Sequence, residues 1–187
     1  MFQCGLKINN IKKMKKTIYL PLILVAILAS CTEEYSLEDN GITVEELPGY
    51  VAFSAPGTGI SINPVETSED AGTVSLNVEI PTSSPSDVTV NYSFGGSAVY
   101  GVDYTVEGAS NAGGQVVILK STEINLDGLP DNADIDVQLL TDGVVDGLKT
   151  IEVTLVDASN SEGDIAVGRA GTDLLKTAVI NIADIDE

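Results

Sequence analysis

Between Tyr50 and Asp186 apolar residues recur at alternate positions in short bursts, set apart by Gly, Pro, Asn, Asp and Ser. Alternation of this kind turns one face of each burst inward and the other outward, as in half-buried β-strands. Tyr50 to Ser54 begins a first strand, and Gly59 to Asn63 continues it past the break at Pro56 and Gly57. Val74, Leu76, Val78 and Ile80 form one face of a second, and Val88, Val90, Tyr92 and Phe94 one face of a third. Gln115 to Leu119 is continuously apolar after its first residue, which predicts a short fourth strand covered on both faces. Ile135, Val137 and Leu139 mark a fifth, Ile151, Val153 and Leu155 a sixth, and Ala178, Ile180 and Ile182 a seventh. No stretch of this region sustains helical spacing. Seven short strands in about 138 residues predict an all-β fold, one immunoglobulin-like sandwich with a single core. Two connections are long: Lys120 to Ala133, where Leu126, Leu129 and Pro130 suggest packing, and Ala158 to Thr172, expected to cross between sheets.

If successive strands reverse direction, the start of the second and the ends of the third, fifth and seventh share one pole. Acids stand at all four places: Glu69 and Asp70, then Asp103, then Asp142 and Asp146, then Asp184 and Asp186. Crowded carboxylates repel one another, and hard oxygen ligands are what Ca²⁺ takes in sets of six to eight. The alternative is a solvated acidic rim, since the chain holds 28 acids and loop carboxylates are common.

Upstream of Tyr50 the pattern is different. Lys15 and Lys16 precede an apolar run from Ile18 to Ala29, shorter than the roughly 20 residues of a spanning helix, which reads as a secretory signal over residues 1–30. It ends in Leu28, Ala29, Ser30 and Cys31, a run that resembles a bacterial lipobox, whose cysteine accepts diacylglycerol on sulfur and becomes the mature N-terminus. Met14 opens a compact signal of its own and is a candidate initiator; Cys4 would then not be translated. Residues 31–49 follow as the lipidated cysteine and an acidic tether, too poor in apolar side chains to bury itself. At ~3.3 Å per residue it would lift a domain several tens of ångströms off a membrane. Glu33 and Glu34 resemble the acidic signals that direct some Gram-negative lipoproteins to the outer leaflet of the outer membrane.

Charge and composition narrow the function. Of nine basic residues only four lie after Cys31, against 28 acids, so the mature chain carries a net charge of −24. Such a field repels nucleic acid and anionic head groups. With Cys31 lipidated no thiol remains, which excludes disulfides and thiol catalysis. The chain has no His and no Trp, and its Ser and Lys form no nucleophile motif. Paired carboxylates alone are weak support for glycoside hydrolysis, because any acidic loop offers them.

The chain also resembles a known family, the Calx-beta domain, first described in sodium–calcium exchangers and also found in bacterial surface proteins. SEDAGTVSLNVEI (68–80) is similar to its acidic opening and second strand, and GVDYTV (101–106) to its Asp-Tyr hallmark. VQLLTDGVVDGLKTIEVTL (137–155) resembles its strand, acidic loop and strand, and AVINIADID (178–186) its closing strand and acidic tail. The resemblance implies Ca²⁺ at Glu69, Asp103, Asp142, Asp184 and Asp186. Departures thin that site: Gly143, Gly147 and Lys149 replace part of a denser acidic run, and Ile185 interrupts the tail. The expected affinity is therefore of the weak extracellular type, ~10⁻⁴ to 10⁻³ M. Asp103 has a second expected role, capping the turn before Tyr104, whose ring would pack on the sandwich edge.

Two function classes follow. One is a lipid-anchored, non-enzymatic surface module, adhesive or scaffolding, held to the outer membrane and meeting a surface protein or polysaccharide. The other is an accessory glycan-binding lipoprotein beside an outer-membrane polysaccharide uptake system. Glycan platforms usually depend on exposed aromatics; here Tyr100, in a loop, is the candidate contact, with packing as its other role.

Overall fold

A computed structural model describes residues 49–56, 59–81, 84–120 and 131–186. Cys31, the leader, most of the tether and the Leu126–Pro130 stretch lie outside the described residues. Ten strands run in chain order: β1 Tyr50–Phe53, β2 Val65–Ser68, β3 Thr73–Ile80, β4 Val88–Gly96, β5 Tyr104–Val106, β6 Gly114–Ile118, β7 Asp131–Leu139, β8 Lys149–Asn160, β9 Gly163–Val167 and β10 Thr177–Ala183.

One layer has the order β1-β3-β7-β5, all antiparallel. The other has the order β2-β10-β8-β4-β6, antiparallel except for the parallel pair β10-β2. Both layers turn their alternate apolar residues into one interior. Leu76, Val78 and Ile80 of β3 and Ile135, Val137 and Leu139 of β7 belong to the same buried cluster as Ile151, Val153 and Leu155 of β8 and Ile180 and Ile182 of β10. The outward positions of β3 and β7 pair through polar side chains instead: Thr73 Oγ1 donates to Gln138 at 2.9 Å, Ser75 Oγ to Asp136 at 2.6 Å and Asn77 Nδ2 to Asp134 at 2.8 Å. This cross-strand division is what fixes the register, because a slip of one residue would exchange the two faces.

Several expectations are corrected. Seven strands become ten. Residues 59–63 do not continue β1; the chain instead forms β2, which adds to the far edge of the second layer along β10. The fourth expected strand, β6, is not covered on both faces. Among the described residues it pairs only with β4, and Val117 and Leu119 are 42% and 68% exposed, so its apolar run reflects an edge strand with a single inward face. The stretch from Ala158 to Thr172 is largely strand: β8 runs on to Asn160, turns at Ser161–Glu162, and returns as β9. It does pass between the layers, because β9 pairs antiparallel with β8 and then parallel with β1.

The sixth strand looked complete at Leu155 because its alternation slips there. Asn91 of β4 pairs with Asp157 and Tyr92 with Leu155, which leaves Val156 as an extra residue in a β-bulge. The inward series therefore runs Ile151, Val153, Leu155 and then Ala158, with Val156 exposed.

The aromatic residues pack together. Tyr104 is 2% exposed, inside the core rather than at its edge, with its ring edge-on to Phe94 and Tyr100 at centroid distances of 5.3 and 5.5 Å. Tyr100 stacks on Phe94 at 5.7 Å, and its hydroxyl donates to the carbonyls of Ala109 at 3.0 Å and Val106 at 3.2 Å. The loop tyrosine is thus a packed residue.

Candidate metal centre at the acidic pole

Strand direction brings the expected acids to one end. The start of β3 faces the end of β7 (Thr73 opposite Gln138), and the start of β5 faces it too (Tyr104 opposite Leu139). The ends of β4 and β10 both lie beside the start of β8, with Gly96 opposite Ile151 and Ile182 opposite Lys149. The three unexpected strands leave this parity intact. Glu69, Asp103, Asp142, Asp146, Asp184 and Asp186 all stand at this pole, in two groups whose oxygens lie within 4.8 Å of one another: Glu69, Asp184 and Asp186, and separately Asp103, Asp142 and Asp146. Asp70 is in neither group; it is exposed and accepts from Ser68 Oγ at 2.5 Å.

The first group is built where β2 leads into β3 and where β10 ends. Glu69 opens a single 3-10 turn, Glu69–Ala71, closed by Gly72 at φ +82. That conformation suits glycine. The turn buries Glu69 to 8% exposure, and Oε1 accepts the Ile185 N–H at 3.3 Å. Burial raises the Glu69 carboxyl above its ordinary pKa, the Ile185 amide opposes the shift, and the charge of Asp186, a side-chain hydrogen bond with Asp186 and the charge of Asp184 add to it. Asp184 is shifted the other way. Backbone amides of Gly147 (2.8 Å) and Asp146 (2.6 Å) donate to Oδ2, and that of Asp186 (2.8 Å) to Oδ1. These three bonds hold its carboxylate below the ordinary range, against burial and with some help from the Lys149 charge. Asp186 Oδ2 is buried and has no hydrogen-bond partner, and no other buried side-chain polar atom among the described residues is in that state.

The second group contains its own cation. Asp103 is 6% exposed; Oδ2 accepts the Val99 N–H at 2.5 Å, so it caps the turn before Tyr104 as the sequence suggested. Its other oxygen accepts Lys149 Nζ at 2.5 Å, and the same ammonium also pairs with Asp146. These two hydrogen bonds hold the lysine well above its ordinary pKa and outweigh its burial. Asp142 is exposed and closes its own turn by accepting the Val144 N–H at 2.9 Å.

A small cleft of about 10 Å³ joins the groups, lined by Glu69 and Asp184 on one side and Asp103, Asp146 and Lys149 on the other. That is room for about one water-sized object. Lys149 stands out in the sequence only as a break in an acidic run. The signal that could have marked it is scarcity: it is one of four bases after Cys31, and it sits among acids.

The donor chemistry of the first group fits a hard cation. Three carboxylates crowd together, one oxygen is buried without a hydrogen-bond partner, and the Glu69 carboxyl resists ionisation because it is buried and lies beside other acids.

No family profile matches the chain, and no curated protein matches it. Among solved structures, the apo-form Calx CBD1 domain superposes with a TM-score of 0.51 at 16% identity, covering 74% of this chain and 98% of that one. The Calx CBD2 domain gives 0.51 at 17% identity, covering 74% and 88%. CBD12 from CALX1.2 gives 0.51 at 16% identity, covering 73% of this chain and 44% of that one. Likeness at this identity concerns the fold, and the domain bearing the acidic pole is a Calx-beta-like β-sandwich.

Proposed function

We propose that the protein is a lipid-anchored, non-enzymatic interaction module of the outer cell surface, whose acidic pole takes one or more Ca²⁺ ions of structural use. The observation that carries the calcium reading is the buried, unpartnered Oδ2 of Asp186 beside Glu69 and Asp184. A divalent ion there would be held by Glu69, Asp184 and Asp186, and it would supply the positive charge that relieves their repulsion. The anchor rests on the Lys15–Cys31 stretch and the outward orientation on Glu33 and Glu34. The pole also supports an interaction role through its rim: Val99, Val102, Val144, Val145, Leu148 and Ile185 are all exposed on the loops that carry the acids. Exposed aliphatic side chains grouped at one end of a domain are the kind of surface that marks an interaction site. The partner would be a surface protein or polysaccharide.

The test of the metal reading is thermal. A ligand that binds only the folded state at ten times its Kd adds about 1.4 kcal/mol. In a domain of this size that raises the melting temperature by roughly 2 to 6 °C. The protein should melt higher in ~10 mM CaCl₂ than in EDTA at matched ionic strength, and much less so with Mg²⁺, which dehydrates reluctantly and demands octahedral geometry. Asp186→Asn should remove the calcium increment while slightly raising the EDTA melt, since its charge no longer opposes that of Glu69. Equal shifts with both cations, or a calcium shift that survives Asp186→Asn, would reduce the pole to a solvated rim.

A further inference from the structure

We propose that β6 is a docking edge for a second copy of the chain, which joins it as an antiparallel strand across a twofold axis at Val117. This edge lies apart from the acidic pole and pairs whether or not a cation binds there.

β6, Gly114–Ile118, ends the layer β2-β10-β8-β4-β6, and among the described residues only β4 pairs with it. Both of its ends are tied on the β4 side. At the start, Ser110 and Gly113 exchange two backbone hydrogen bonds at 2.9 and 3.0 Å, and Gly113, at φ +134, lies so close to the Tyr92 carbonyl that no Cβ would fit. At the end, Lys120 donates its backbone N–H to Asp87 at 2.8 Å and its ammonium to the Pro85 carbonyl at 2.7 Å, so the chain leaves toward β4 and not across the open edge. Edge strands are ordinarily guarded by charge, proline or shortness. β2 carries Glu66, and β5 has three residues set between Asp103 and Glu107. From Ser110 to Leu119 there is neither charge nor proline, in a chain with 28 acids, and Val117 and Leu119 are exposed.

Charge and residue order select the occupant. A partner recruited by charge would find none on β6, whereas two strongly acidic copies approach with least repulsion along an uncharged strand. The strand is also self-complementary. With Val117 opposite its own copy, Ile118 meets Val116 of the second copy on the inward face and Leu119 meets Gln115 on the outward one. Moving the axis one residue either way would set Ile118 against Gly114 or Val116 against Lys120. Five residues of ladder are far less than a standard interface, so the contact is weak and reversible.

Antiparallel pairing also sets direction. Ile118 lies opposite Val88, at the end of the sandwich where β3 finishes and Tyr50 begins β1, so the two Tyr50 ends leave from opposite ends of the pair. With Cys31 as the anchor proposed above, domains reaching out from facing membranes would meet in this way, and the adhesive partner is the protein itself.

The test is sedimentation equilibrium of the full chain in EDTA, for the wild type, Val117→Lys and Val117→Glu, alone and mixed. The wild type should show a monomer–dimer equilibrium that strengthens as salt is raised, because screening weakens the repulsion between two acidic bodies. Each charged variant sets like charges opposite one another and should weaken the dimer by ~5-fold or more, and an equimolar mixture of the two should restore it. Val117→Cys in a Cys4→Ser, Cys31→Ser background gives a second reading that needs no charge on the strand: oxidation should link it as a dimer, while Val156→Cys, exposed on β8, should stay monomeric. A wild type that is monomeric at every concentration, or a dimer unchanged in both charged variants, would overturn the inference and leave the calcium and anchor readings standing. Beads coupled through Cys31 of a Cys4→Ser chain read the direction. Wild-type beads should cluster, and Val117→Lys beads should cluster only with Val117→Glu beads; a dimer in solution without clustering would overturn the facing arrangement.

Discussion

Replacing Glu69 by Gln removes a charge but keeps the shape of a buried side chain that lies beside Asp186. In the unfolded chain this carboxyl titrates near 4.5, and in the fold burial and neighbouring acids raise that value. A raised carboxyl favours the protonated folded state. Its cost to stability is absent below about pH 4.5, grows as the pH climbs toward the folded value, and is constant above it. Glu69→Gln should therefore melt higher than the wild type in EDTA at neutral pH, with the difference fading to nothing as the pH falls below 4.5. A difference that does not change with pH would show that the substitution acts through packing. Asp184 has the opposite sign. Its lowered carboxyl contributes stability above its ordinary 3.8, and that contribution is lost as the pH falls through the folded value. Asp184→Asn should accordingly lower the EDTA melting temperature, unlike Asp186→Asn, because three backbone amides lose their anionic acceptor. Two carboxylates two residues apart thus respond differently, and only their hydrogen-bond partners separate them.

Among the elements, β8 carries the greatest share of the organisation. It pairs with β4 along its length, with β10 over its first half and with β9 over its end, and its first residue supplies the ammonium of the pole. Leu155, fully buried next to the bulge, is the residue at which the inward phase changes. Leu155→Ala should cost about 2–5 kcal/mol, read as a fall in denaturant midpoint with little change in slope. A loss below about 1 kcal/mol would mean the bulge lets neighbouring chains close the cavity. The strands that alternation revealed most clearly are those with three or more inward apolar residues, such as β3 and β7. Those it missed are short or polar. β2 reads Val-Glu-Thr-Ser, β5 holds only Tyr-Thr-Val, and β9 begins Gly-Asp, so each relies on a neighbour's ladder and offers no period of its own. The extent of β8 was hidden by one extra residue, Val156. The pole was legible because it depends only on strand direction, which edge strands do not disturb. The division of its acids was not, since the reach of one lysine side chain leaves no mark in spacing.

At the scale of the whole molecule, the sandwich with its acidic, aliphatic-rimmed pole follows an acidic stretch and, before that, the Lys15–Cys31 run proposed as the lipoprotein signal and anchor. If that cysteine is the anchor, metabolic labelling with a lipid precursor should mark the protein, and Cys31→Ser should abolish the label; a Cys31→Ser protein that still labels would contradict it. The acidic pole is central, with Lys149 paired to Asp103 and Asp146 on one side and Glu69, Asp184 and Asp186 crowded together on the other. A crystal structure grown with CaCl₂, with anomalous scattering to identify the ion, bears on the calcium reading most directly. The account predicts a calcium peak about 2.3–2.6 Å from oxygens of Glu69, Asp184 and Asp186. No peak at Asp186 would contradict it.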